Sequence, residues 1–210
     1  MKYLQPYHGL LLIGGGGHCR AVLDILSMLA LNVDGIVDND TDLHDVLGIP
    51  VVGTDNDIPN LRKKYDAALV TIGQIKNPNS RRNIYRLLKN SDYILPTIIS
   101  PLAHVSHYAI VDSGTVVMHM ALINSKACVG KNCIINSRAI IEHDVIVGNH
   151  CHISTGTILN GGVHVGDSTF IGSGAIVREG VSIGKECIIG MGTIIKHDVS
   201  DGCMIVGYHE

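Results

Sequence analysis

The chain has 210 residues, of which 46% are hydrophobic, 4% aromatic and 17% charged, with one Phe and no Trp. Such a length accommodates one large or two small domains, and its core must be assembled from aliphatic and small side chains. A net charge of −3 offers nothing to nucleic acid or to an anionic membrane surface, and no apolar run reaches the roughly 20 residues that span a bilayer.

The first half alternates strand-like and helix-like segments. Leu10–Ile13 is a short apolar run that ends in four glycines, Gly14–Gly17. From His18 to Leu31, Val22, Ile25, Leu26 and Leu29 recur at helical spacing. Gly35-Ile36-Val37 reads as a second strand and is followed by Asp38-Asn39-Asp40. Residues 57–64 fit a short helix, Ala67–Ile72 a third strand, and Pro78–Lys89 a helix that starts near a proline. This alternation predicts a small parallel α/β sheet. Glycines between a strand and a helix let backbone amides approach a phosphate. His18 stands where it can reach such a phosphate, and Asp38 where it can accept hydrogen bonds from a ribose or base. The third glycine of the dinucleotide pattern falls at Cys19, so the run also fits a plain tight turn. Nicotinamide chemistry is disfavoured, because the α/β half is short.

Beyond residue 104 the period changes. Stepping by six from Val105 to Ile195 meets an aliphatic residue sixteen times without a break. The position two before each is mostly Ala, Thr or Cys, and the position after each is often Gly or Asn. A fixed short period of this kind marks a β-solenoid, here about five coils of 18 residues. The aliphatic residue points inward, the small residue fills the corner, and Gly and Asn tolerate the turn. The boundary is expected near residues 96–104, where Pro96 and Pro101 interrupt the pattern, giving domains at 1–98 and 99–210. Six cysteines form no CxxC pair. Cys133, Cys151 and Cys187 fall at the small core position, so free buried thiols are expected, not disulfides or zinc ligands.

His143 lies two residues past the inward Ile141, on a coil flank between Glu142 and Asp144. Imidazole takes a proton near neutral pH, and an adjacent carboxylate orients the ring. One coil on, Gly161 and Gly162 leave no side chain beneath that pair, which predicts a groove for an extended pantetheine arm. His152 is half a coil away, on another side. The two histidines would meet only across a subunit boundary, and this points to a homotrimer with interfacial sites.

The segments Gly14–His18, Asp38-Asn39, Thr71-Ile72-Gly73 and Asn136–Asp144, with His152, resemble a known family. It is the bacterial sugar acyltransferases that join a small Rossmann-like nucleotide-sugar-binding domain to a left-handed parallel β-helix of hexapeptide repeats. It includes the UDP-4-amino-sugar N-acetyltransferases of surface glycan biosynthesis and the sialic acid O-acetyltransferases. The resemblance implies that His143 is the proton acceptor and Asp144 the acid that raises its basicity. It also implies that His152, Ser173 and Met191 contact acetyl-CoA, and that Gly16, Gly17, His18, Asp38, Asn39 and Gly73 bind the sugar nucleotide. Asn39 stands where some relatives carry a second acid. The usual ending Val-Gly-x-Pro-Ala becomes Val206-Gly207-Tyr208-His209-Glu210, which affects contacts made by the extreme C-terminus. The expectation is a cytoplasmic acetyl-CoA-dependent N-acetyltransferase without a metal. The alternatives are sialic acid O-acetylation, a zinc enzyme of the γ-type carbonic anhydrase kind (which would need three histidine ligands) and a non-catalytic scaffold.

Overall fold

The computed structural model describes residues 7–75 and 77–207, so Tyr208–Glu210 lie outside the described residues. The chain divides into two compact units. One runs to Gly73 and resumes over Asn79–Ile98, and the other comprises Gln74–Pro78 and the chain from Ile99 onward.

In the first unit β1 (Leu10–Ile13), α1 (Gly17–Met28), β2 (Gly35–Val37), β3 (Asp45–Val46), β4 (Ile49–Gly53), α2 (Ile58–Leu61), β5 (Ala67–Val70) and α3 (Asn79–Asn90) follow in order. They build one sheet, ordered β3-β4-β2-β1-β5. All pairings are parallel except β3 with β4. Both faces of β1 are covered, which explains its unbroken apolar run of four fully buried residues. The chain leaves β1 in opposite directions, to β2 on one side and β5 on the other. A crevice therefore opens beyond the carboxyl ends of these strands, where ligands of open α/β sheets bind. Helix α3 lays Ile84, Tyr85 and Leu88 into a cluster with Leu11, Ile13, Ala68 and Val70. The β3–β4 hairpin is an element that the sequence reading omits. Its turn is Leu47-Gly48, at φ 52° and 82°. A leucine in the left-handed region replaces the Asn or Asp that announces such turns, and β4 carries a proline, Pro50.

The second unit is a left-handed parallel β-helix of two-residue strands stacked into three faces. The first face holds six strands, from His104–Val105 to Ile194–Ile195. The second holds five, from Ile110–Val111 to Ser182–Ile183. The third holds seven, from Ile98–Ile99 to Met204–Ile205. The second residue of each strand is the aliphatic of the six-residue period, and from Ile123 to Ile195 every one is buried. The last turn is shorter. Ile189 pairs with Ile205, sixteen residues on, whereas Ile171 pairs with Ile189 at the full eighteen. This shortening is why the hexad count ends at Ile195.

Turn freedom comes from a different position than the sequence reading assigns. The left-handed residue lies three places after the inward aliphatic, at Gly114, Met120, Lys126, Asn132, Arg138, Asp144, His150 and onward every six residues. The glycines directly after the aliphatic meet another demand, the close approach of successive coils. A Cβ on Gly130 would stand 2.8 Å from the backbone of Gly148, and one on Gly166 would stand 2.6 Å from that of Gly184. The small core residues complete the corners. Cys133, Cys151 and Cys187 are fully buried. Their thiols donate to the carbonyls of Gly148, Gly166 and Ser200, each at 3.1 Å. Cys128 faces outward and is half-buried.

Candidate active site

The described residues place the predicted site positions in two groups. In the first unit, the loop after β1 uses its four glycines in two ways. A Cβ on Gly14 would lie 2.6 Å from Ile72 and one on Gly15 2.6 Å from Leu43, so packing excludes side chains there. Gly16 and Gly17 meet nothing within 4 Å. Their space is open. Gly16 is the N-cap of α1 and supplies no side-chain cap, and the first turn holds no acidic residue. The leading N–H groups of α1 therefore carry the partial positive charge of a helix start with no internal partner. His18 occupies this turn, and a Cβ on Gly73 would lie 4.0 Å from its own Cβ. The third glycine of the pattern is replaced by Cys19, whose fully buried side chain packs beneath the loop. Burial pushes its thiol up to about 11.

Beside this loop is a cavity of about 450 Å³, lined by Gly14, Val37, Asp38, Asn39, Asp55, Ile72, Ser80, Asn83 and Ile84. Asp38 and Asn39 line it, and both are already engaged. The Asp38 carboxylate accepts the N–H groups of Gly15 at 2.6 Å and Asp40 at 2.9 Å, and so fixes the glycine loop. Asn39 donates to Asp55 Oδ2 at 2.7 Å and accepts the Asp55 N–H at 3.0 Å. Asp55, Ser80 and Asn83 were not legible in the sequence, because Asp55 follows the unread strand β4 and the other two sit on an ordinary polar helix face. Arg81 is buried and donates to the carbonyls of Val70 and Ile72, at 3.0 and 2.6 Å, holding the chain as it leaves β5. A larger cavity of about 810 Å³, lined by Leu23, Leu26, Val33 and Asp34 among others, lies at the opposite end of the sheet. Asp34 binds the N–H of Leu10 there, at the start of β1. Ligand chemistry belongs at the carboxyl ends.

In the β-helix, His143 follows the first-face strand Ile140–Ile141. Its Nδ1 lies 2.9 Å from Asp144 Oδ2, and both side chains are more than half exposed. The carboxylate can only accept, so Nδ1–H is the donor of this pair. Asp144 reaches the ring because its backbone is left-handed, φ 60°. Glu142, the other candidate orienter, is held by Asn124 at 2.9 Å. Gly161 is not an open groove. A Cβ there would stand 2.6 Å from His143 Cε1 and 2.7 Å from Nε2, so the imidazole itself occupies the space that the glycine leaves. Gly162 does stay open, with only Gly180 Cα at 4.0 Å.

His152 lies on the third face and is buried. Its Nδ1–H donates to the carbonyl of Gln74 at 2.5 Å, Asn136 donates to its Nε2 at 3.2 Å, and Phe170 packs against its ring. Neither Gln74 nor Asn136 was singled out as its partner beforehand. Ser173 and Met191 share the corner between the third and first faces. Ser173 is hydrogen-bonded to Ser154 at 2.9 Å, and Met191 is 81% exposed. Burial raises the thiol pKa values of Cys151 and Cys187, and for Cys151 the neighbouring Cys133 adds to the effect. Such thiols stay protonated and are poor nucleophiles. Among the described residues, no group of three or more His, Cys, Asp or Glu side chains is arranged to hold a metal ion. No helix among them is long and apolar enough to cross a membrane.

Comparison with known proteins covers both units. Residues 9–88 match the model of the PglD N-terminal domain, and residues 127–160 and 162–197 match the hexapeptide repeat of succinyl-transferase. Perosamine N-acetyltransferase from Caulobacter crescentus, solved with CoA and GDP-perosamine, is 34% identical at a TM-score of 0.90, over 97% of this chain and 96% of that one. The chain belongs to the bacterial sugar acyltransferases of the left-handed β-helix type. The acetyltransferase domain of PglB from Neisseria gonorrhoeae, solved with acetyl coenzyme A, is 31% identical at a TM-score of 0.87, over 95% of this chain and 96% of that one. WeeI from Acinetobacter baumannii shares the fold at 20% identity and a TM-score of 0.82. No protein of curated function matches the sequence directly. Within this family the glycine loop belongs to the PglD-type domain and the His143–Asp144 pair to the repeat region.

Proposed function

We propose that this acyltransferase moves an acetyl group from acetyl-CoA to the amino group of a nucleotide-linked amino sugar. The expected substrate is a 4-amino sugar bound for a bacterial surface glycan, and the reaction would run in the cytoplasm. Residues 1–98 would hold the nucleotide sugar and residues 99–210 would carry the transfer. The observation that carries this reading is the His143–Asp144 pair, in which Asp144 holds Nδ1 and the ring lies against Gly161. The attacking amine gives its proton to Nε2 as nitrogen bonds to the thioester carbonyl carbon. Asp144 stabilises the imidazolium that forms. Collapse of the tetrahedral adduct breaks the C–S bond, and the imidazolium returns the proton to the leaving thiolate. His152, Ser173, Met191 and Gly162 are assigned to acetyl-CoA, and Gly161 to seating the His143 ring. Gly16, Gly17, His18, Asp38, Asn39 and Gly73 are assigned to the nucleotide sugar. His18 and Asp38 beside the uncapped helix start favour a nucleotide sugar over sialic acid as acceptor. The Caulobacter relative, solved with CoA and GDP-perosamine, was also solved with one histidine replaced by asparagine or alanine, in keeping with a histidine at the centre of the chemistry.

The working assembly is taken to be a homotrimer. Leu122, Ile140, Ile158, Ile176 and Ile194 stack in register on the outer side of the first face. A continuous aliphatic ladder on the outside of a fold marks a surface that a partner covers. His143 borders this ladder, so a neighbouring copy seated on it would wall the base. The test is a screen of nucleotide 4-amino sugars with acetyl-CoA, read as thiol release. Release with at least one of them, abolished in His143→Ala, is expected. Failure across the series would overturn the reading.

A further inference from the structure

The cavity of about 450 Å³ has two chemically different walls. On the β2–β4 side, the Asp38 carboxylate accepts two backbone N–H groups, and Asn39 pairs with Asp55 through one amide N–H and its oxygen. Asp55 is thereby clamped at Oδ2 and at its backbone N–H, with Oδ1 uncommitted. This wall offers a rigid carboxylate that can only accept hydrogen bonds. Across the sheet, beyond β5, the wall is Ser80 and Asn83 of α3. Their side chains make no hydrogen bond among the described residues and can donate.

We infer that this cavity selects guanine as the base of the nucleotide sugar, and that Asp55 is the residue that reads it. The inference rests on the nucleotide-sugar reading above. Guanine alone among the common bases presents two adjacent donors, N1–H and the N2 amine, which a carboxylate accepts together. Its O6 and N7 are acceptors, which Ser80 and Asn83 can satisfy. Uracil presents acceptor, donor, acceptor along the corresponding edge and would set a carbonyl oxygen against the carboxylate. Adenine places an acceptor at N1. Paired hydrogen bonds to a base edge discriminate by roughly tenfold or more.

The experiment is titration calorimetry of the full chain with GDP, IDP, ADP and UDP. IDP keeps N1–H but lacks the N2 amine. The expected order puts GDP tightest, with IDP weaker and UDP and ADP weaker still by about tenfold or more. Asp55→Asn is expected to bring GDP down to the level of IDP and leave UDP unchanged. A preference for UDP would overturn the base assignment and leave the nucleotide-sugar reading standing. Equal losses for GDP and UDP in Asp55→Asn would assign the carboxylate to the ribose and also overturn it. Absence of binding by all four, with acetyl-CoA still bound, would overturn the nucleotide-sugar reading itself. The ranking of the four nucleotides by the unmodified chain is decisive even if Asp55→Asn folds poorly.

Discussion

At the scale of single residues, the proposed chemistry rests on how His143 is held. One carboxylate holds Nδ1 and one glycine makes room for the ring. Loss of a positioned general base costs about 10²–10⁴-fold in rate. His143→Ala should therefore lose kcat on that scale, while the dissociation constant for acetyl-CoA changes little. Asp144→Asn should fall between that variant and the wild type, because the ring keeps a neighbour but loses its charge. The Glu-His-Asp run was legible in the sequence as a candidate base between two acids. The family resemblance pointed to Asp144, whereas the residues alone left Glu142 open, because the choice of contact depends on the left-handed backbone at Asp144 and on Asn124 holding Glu142. The thiols give a second check at this scale. Cys19, Cys133, Cys151 and Cys187 are fully buried, and Cys128 and Cys203 are half-buried. A colorimetric thiol reagent at neutral pH should label at most Cys128 and Cys203 in the native protein and all six after denaturation. An acetyl label retained on protein after one turnover would contradict direct transfer.

At the scale of elements, each glycine loop separates packing from function. Gly14 and Gly15 are closed in by Ile72 and Leu43, whereas Gly16 and Gly17 face open space. Gly14→Ala should destabilise the fold, because its φ of 103° and its backbone neighbours both resist a Cβ. Gly16→Ala and Gly17→Ala should leave the melting temperature near that of the wild type and raise KM for the nucleotide sugar. His18→Ala should do the same, with kcat largely kept. Gly161→Ala differs again. A methyl group there displaces an exposed imidazole, not a packed chain. The expected result is a fall in kcat with melting temperature and nucleotide KM unchanged, and a lost fold would refute it. These distinctions were beyond the sequence, which shows that glycines are present but not what lies against them. The six-residue period was readable throughout, because every coil repeats one demand for an inward aliphatic. The β3–β4 hairpin was hidden because β3 is only two residues long and β4 carries a proline and no alternation of buried and exposed residues, and Asp55 was hidden with it.

At the scale of the whole molecule, the aliphatic ladder and the base lie side by side on the first face, so assembly and activity should be coupled. Covering that ladder on one copy would bring the neighbour's residues against His143, whereas His152 of the same copy sits on a different face. A site built this way has no complete version in one chain. Sedimentation at micromolar concentration is expected to show a trimer. Ile158→Glu would place a charge in the middle of the ladder at a half-buried position, where the folded chain can still solvate it. A buried unpaired charge in an interface opposes association strongly. Ile158→Glu should therefore sediment as a smaller species, keep the far-ultraviolet circular dichroism of the folded protein, and lose turnover together with the trimer. Binding of the nucleoside diphosphate should persist, because its pocket is formed within the first unit. A monomeric wild type, or an Ile158→Glu variant that dissociates and still turns over at the wild-type rate, would show that the site is complete in one chain.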